Sequence, residues 1–145
     1  MEPAAVTLPL LREMPLCLPA EDTAMRRARI TGRTWLTMLN WPGSVHAATE
    51  VLQHLVDNAV RYGLKDAKSS QTLDVCFRVT ESRELLIDVA DPNPAFPDFD
   101  QATRGELGRG LWNARQAGAM LTWFVNRDFD GKTVRATMRP GRAEL

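Results

Sequence analysis

Cysteine is scarce in this chain: among 145 residues there are only Cys17 and Cys76, and nothing about their separation suggests a metal site. That excludes a disulfide framework and a cysteine-rich zinc site, and leaves two buried free thiols in a reducing cytoplasm as the expectation. Net charge is missing as well, because 18 basic and 18 acidic side chains cancel. No overall field therefore draws the chain to nucleic acid or to an anionic membrane. No apolar run approaches the roughly 18 residues that a membrane-crossing helix requires. The opening stretch MEPAAVTLPLLREMPLCLPAED has no basic head, and Arg12, Glu13 and several prolines interrupt it, so it reads as neither signal peptide nor anchor. Repeats, heptads and low-complexity tracts are absent too.

What is present suits one globular domain with a core of its own: 44% hydrophobic and 25% charged residues. TLPLLREMPLCLPA alternates loosely between prolines, which predicts an edge strand or an extended arm. A helix follows, capped by Asp22 or Thr23, with Met25, Ile30, Leu36 and Leu39 on its buried face and Gly32 weakening it. WPGS breaks the chain, and Ser44 is placed to cap a second helix of about Val45 to Tyr62 that Gly63 stops. Val51, Leu52, Leu55, Val56, Ala59 and Val60 recur along it at helical period. TLDVCFRVT and ELLIDVA form a hairpin. A loop-like stretch, 91–110, carries Pro92, Pro94 and Pro97. LWNARQAGA is a short helix, and MLTWFVNR with KTVRATMR makes a last hairpin around DFDG. Helices in runs beside an antiparallel sheet predict an α+β, two-layer sandwich with one face of the sheet covered.

Several residues on this frame have two readings. Asn58 offers an amide oxygen to a magnesium ion, which takes hard oxygen ligands and keeps several waters; a polar residue on a wet helix face is the plainer account. Asp91 closes an apolar strand, where a carboxylate is commonly just solvated. Gly108-Arg109-Gly110 allows close backbone approach and leaves free amides at a helix start, a site for phosphate, or it is simple loop punctuation. Gly131-Lys132-Thr133 reads first as an Asp-Gly turn. A long loop that begins at a strand-end aspartate and finishes at a Gly-x-Gly is more often functional than accidental.

In order and spacing, LVDNAVRYG, DVADPNP, GRGLWNA and GKTVRATM resemble the motifs of the GHKL, or Bergerat-fold, ATP-binding domains of DNA gyrase, heat-shock chaperone ATPases, histidine kinases and MutL-type proteins. The resemblance covers about Ala20 to Arg139 and is strongest to the small bacterial anti-sigma-factor serine kinases. It implies an arm or edge strand at 1–19, an ATP-binding domain at 20–140 with a lid at about 92–109, and a tail at 141–145. It also implies ATP and Mg2+ as ligands, with Asn58 holding the metal. Arg61 would meet the phosphates, and Asp91 would accept from the adenine amine, with Asn93 beside it. Gly108, Arg109, Gly110 and Leu111 would close the lid's end over the phosphates. Thr133 would support Asp91 through water, and Tyr62 would flank the nucleotide or pack in the core. Two departures stand out. Asp91-Pro92-Asn93-Pro94 replaces the usual glycines, a version similar to a subset of the anti-sigma-type proteins. His54 stands where those kinases have a glutamate base, and Glu50 lies a further turn back.

An imidazole titrates near neutrality, so His54 is the candidate catalytic base; a half-packed histidine without chemistry is the competing reading. The resemblance thus implies a cytoplasmic ATP-binding regulator that binds a protein partner, such as a sigma factor or its antagonist, and phosphorylates a serine. It leaves open a homodimer, a weak ATPase and a nucleotide-gated binding module without kinase activity. A detached histidine-kinase catalytic domain would need a phospho-acceptor helix pair, for which the stretch before Ala20 is too short.

Overall fold

Strand β3, Leu85–Asp91, sets the architecture: its odd-numbered residues Leu85, Ile87, Val89 and Asp91 face the helices, and its even-numbered ones face away. The computed structural model describes residues 10–19, 23–63, 72–106 and 109–141. Around β3 lies a five-stranded antiparallel sheet in the order β1-β2-β3-β5-β4, built from β1 (Leu10–Pro19), β2 (Thr72–Thr80), β4 (Met120–Val125) and β5 (Lys132–Met138). The helices are α1 (Ala24–Met38), α2 (Val45–Asn58), α3 (Phe99–Thr103) and α4 (Gly110–Gln116). The fold is therefore an α+β sandwich, as its periodicities imply.

Phe77, Ile87, Leu52 and Leu55 are fully buried between the layers. Each such side chain contributes about 1.5–3 kcal/mol of transfer free energy. Ser44 caps α2 by accepting from the Ala47 amide at 3.1 Å. Trp41 donates its indole N–H to the Arg83 carbonyl at 2.9 Å and pins the α1–α2 connection to the β2–β3 turn. No described helix is long and apolar enough to cross a membrane.

Several local expectations need correction. Ile30 is largely exposed, Met25 is only partly buried, and the buried face of α1 is made by Ala24, Ala28, Gly32 and Leu36. Gly32 is thus a packing residue: a Cβ there would run into Leu52 Cδ2, so the missing side chain lets α1 approach α2. Asp22 lies outside the described residues, and α1 begins after Thr23. The second helix does not stay α-helical to Tyr62. It changes after Asn58 to a π-helical turn, Ala59–Gly63, of the kind that concentrates at functional sites. The 91–110 stretch is not structureless, since α3 forms within it. Cys17 is exposed, not buried. Cys76 is half-buried, and desolvation pushes its thiol up to about 11, which keeps it protonated and unreactive.

Candidate functional site

Between α2 with its π turn, the 93–102 segment and the start of α4 lies a cleft of about 490 Å³, within the range of roughly 300–1,000 Å³ typical of small-ligand sites. Helical spacing puts His54, Asn58 and Arg61 on its α2 side. Asn58 is buried; His54 keeps a quarter of its side chain exposed, with Nε2 4.0 Å from Glu50 Oε1. Glu50 itself does not line the cleft. Arg61 turns back along the helix, its Nε 3.0 Å from both carboxylate oxygens of Asp57, and stays exposed. Tyr62 lines the mouth and is more exposed than buried, so it is not a core residue.

Arg109, Gly110 and Leu111 stand at the opposite end. Arg109 lies over the Trp112 ring at 5.2 Å, and Leu111 is buried with one side toward the cleft. Gly110 leaves room for a Cβ, 4.0 Å from the His54 carbonyl. Gly108 lies outside the described residues.

The end formed by the sheet differs most from expectation. Register pairs Asp91 of β3 directly with Lys132 of β5, and Ala90 with Thr133. Strand alternation therefore aims Lys132, not Thr133, at Asp91. Thr133 faces the other side of the sheet and donates to Asn126 Oδ1 at 2.8 Å, so it does not support Asp91. Asp91 is itself sealed: its side chain is fully buried and is not part of the cleft wall. Its Oδ1 accepts from Lys132 Nζ at 3.0 Å and from the Asn93 amide at 2.9 Å, while Oδ2 is buried without a partner among the described residues. Desolvation raises the Asp91 carboxyl above its ordinary range, outweighing the Lys132 charge and the Asn93 amide.

Asn93 ties the parts together. Its side-chain amide donates to the Tyr62 carbonyl at 3.4 Å, its Oδ1 accepts from the Ala95 amide, and its carbonyl accepts from Lys132 Nζ at 3.1 Å. Phe96 roofs Lys132, with the ring centre 5.3 Å from Nζ, and stacks edge-on to Phe99. Sequence reasoning missed Lys132, Asp57, Asn113 and Phe96 as cleft residues. Only Asp57 carried a readable signal, its i,i+4 spacing to Arg61.

No family model and no curated protein sequence matches the chain, but solved structures do. It is similar to the RsbU and RsbW domains of Rv1364c from Mycobacterium tuberculosis, with 19% identity, a TM-score of 0.61, and coverage of 91% of this chain and 33% of that one. The chain thus spans about a third of the mycobacterial chain's length. The SiaB-SiaC complex from Pseudomonas aeruginosa matches with 12% identity and a TM-score of 0.60, covering 95% of each chain. The histidine kinase AdeS of Acinetobacter baumannii matches with 14% identity and a TM-score of 0.53, over 91% of this chain and 70% of that one. The chain has the GHKL-like fold. In that GHKL-like frame the cleft lies on the helical side of the sheet; His54, Asn58, Arg61, Tyr62, Asn93, Arg109, Gly110 and Leu111 line it, and Glu50, Asp91, Gly131 and Thr133 do not.

Proposed function

We propose that the cleft binds magnesium ATP and that the protein is a regulator of the anti-sigma-factor serine kinase type, acting on a partner protein in the cytoplasm. The observation that carries this reading is the convergence of His54, Asn58, Arg61, Asn93, Arg109, Gly110 and Leu111, from three separate chain segments, on one cleft. The donor set fits the ligand. Arg61 and Arg109 supply cations for phosphates, the buried Asn58 supplies one hard oxygen, and Lys132, held by Asp91 behind it, gives the sheet end a polar group. Among the described residues no three His, Cys, Asp or Glu side chains gather, so magnesium would rest on Asn58, phosphate oxygens and water. When bound, the metal neutralises phosphate charge; positioning by Arg61 and Arg109 supports transfer of the terminal phosphoryl group.

His54 is the candidate base for the attacking hydroxyl. It lines the cleft, with Nε2 4.0 Å from Glu50 Oε1 on the same helix. A protein partner is the proposed target, in keeping with the SiaB-SiaC complex among the similar structures. Nucleic acid and membrane are not proposed partners, and a homodimer is compatible with the reading. The alternative, a nucleotide-gated binding module without transfer activity, draws on the presence of His54 where the resemblance implies glutamate.

The test combines titration with labelled ATP and magnesium and a transfer assay on candidate partners. Asn58→Ala should abolish most of the metal's contribution to ATP affinity. His54→Ala should leave affinity nearly unchanged while any transfer falls by roughly 10²–10⁴-fold. Gain of phosphorylation in His54→Glu would mean that the site lacked only its base, and a silent His54→Glu that still binds ATP would favour the binding module. Failure of the wild type to bind any magnesium purine triphosphate would sink both readings.

A further inference from the structure

Lys132 is buried, yet it lines the cleft, whereas Asp91 behind it does not. An ammonium carries three donors. Asp91 Oδ1 and the Asn93 carbonyl take two of them at 3.0 and 3.1 Å, and the third has no acceptor among the described residues. Phe96 covers one flank of the ammonium, and Lys132, unlike Asp91, is part of the cleft wall. A ligand reaching this end therefore meets a hydrogen-bond donor before it meets a carboxylate.

That reverses the selection the end would exert. A bare carboxylate accepts from an amine and repels a carbonyl oxygen. A lysine donates to a carbonyl or a ring nitrogen, and the adjacent O6 and N7 acceptors of guanine are the base edge on which lysine makes its commonest specific contact. Adenine still offers ring-nitrogen acceptors but no longer holds an advantage through its 6-amine. We infer that Lys132, not Asp91, meets the base, and that the cleft takes a purine triphosphate with a 6-carbonyl at least as readily as one with a 6-amine. Asp91 is then a positioning residue, holding the ammonium through Oδ1. The inference rests on the nucleotide reading of the cleft and narrows it to a substrate class.

The experiment titrates the wild-type chain with ATP, GTP and inorganic tripolyphosphate, each with magnesium, by calorimetry. ATP and GTP should bind within about tenfold of each other, or with GTP ahead, and both more tightly than tripolyphosphate. Lys132→Met removes the donor while keeping the stem, so the ATP-to-GTP preference should move toward ATP by roughly tenfold or more, the usual weight of a charged hydrogen bond. Should that variant not fold, the three wild-type titrations decide alone. ATP binding more than a hundredfold tighter than GTP would overturn the inference and leave the nucleotide reading standing. So would an unchanged preference in folded Lys132→Met, whereas tripolyphosphate matching both nucleotides would overturn the inference and the nucleotide reading together. Binding of none of the three would overturn the nucleotide reading and the inference with it.

Discussion

Strand β3 carries two buried aspartates on opposite faces, and the sheet treats them differently. On the open face, Asp88 is fully engaged: Arg135 grips it with Nε at 2.8 Å and Nη2 at 2.9 Å, and Arg78 Nη1 reaches the same carboxylate. Glu13 of β1 extends the row by pairing with Arg78 at 3.0 Å, and Phe124 covers the Arg135 guanidinium. On the helical face, Asp91 has one cationic partner and one oxygen with no partner among the described residues. The first group links β1, β2, β3 and β5 and satisfies both oxygens of its carboxylate, leaving as its orphan a single donor, Arg135 Nη1, without a partner among the described residues. In the second the orphan is an acceptor, on the carboxylate itself, and the one cation that holds that carboxylate also lines the cleft.

The contrast can be broken most forcefully at Asp88. Asp88→Ala leaves Arg135 buried without its carboxylate, a loss of about 3–5 kcal/mol by the usual weight of such breakage. Urea unfolding should show the drop, while nucleotide titration of the folded fraction should not change. A variant as stable as the wild type would mean that the open-face group is solvated after all.

A smaller effect is expected at Gly131, where a Cβ would collide with the Asp91 carbonyl. The obstacle is backbone, so it cannot swing aside, and Gly131→Ala should cost about 1–3 kcal/mol by the ordinary scale of overpacking. It should also displace the Asp91–Lys132 rung and weaken nucleotide binding, an effect that Asp88→Ala should lack. Equal binding in the two variants would remove the distinction between the faces.

The mildest test is pH. The folded Asp91 carboxyl titrates above its unfolded value, so its contribution to stability is fully present below the unfolded range. It is lost as pH rises through the folded value. Stability measured for wild type and Asp91→Asn between about pH 3 and pH 7 should therefore show the wild type losing ground as pH rises. A gap that widens in favour of wild type with rising pH would contradict burial as the dominant influence on this carboxyl.

The sequence made the layers legible because periodicity reports burial directly. Val51, Leu52, Leu55 and Val56 mark the covered face of α2, and Ser44 marks its start. That Asn58 and Gly110 lie together was legible only through the order of the motifs that carry the family resemblance, since either residue alone has a plainer account. The sheet end of the cleft was not. Thr133 and Lys132 differ by one position, and in a strand one position exchanges the faces, so only the pairing register could assign them. The π turn was hidden because Ala59 and Val60 continue the helical period of α2 while the backbone changes its hydrogen bonding. Cys17 sits in an apolar run, yet β1 is an edge strand and turns that side chain outward.

The strand order has a consequence for the sequence of assembly. The β2–β3 and β4–β5 hairpins close locally, but β5 reaches β3 only after the chain has looped through the cleft-side segment, α3 and α4. Loop-closure entropy over that distance predicts that the β3–β5 seam forms after the two local hairpins. Asp91 and Lys132 are the end rung of that seam. Opening there would separate the hairpins and empty the cleft in one motion, so a ligand seated against Lys132 acts as a latch. It would slow unfolding while leaving the folding rate almost untouched.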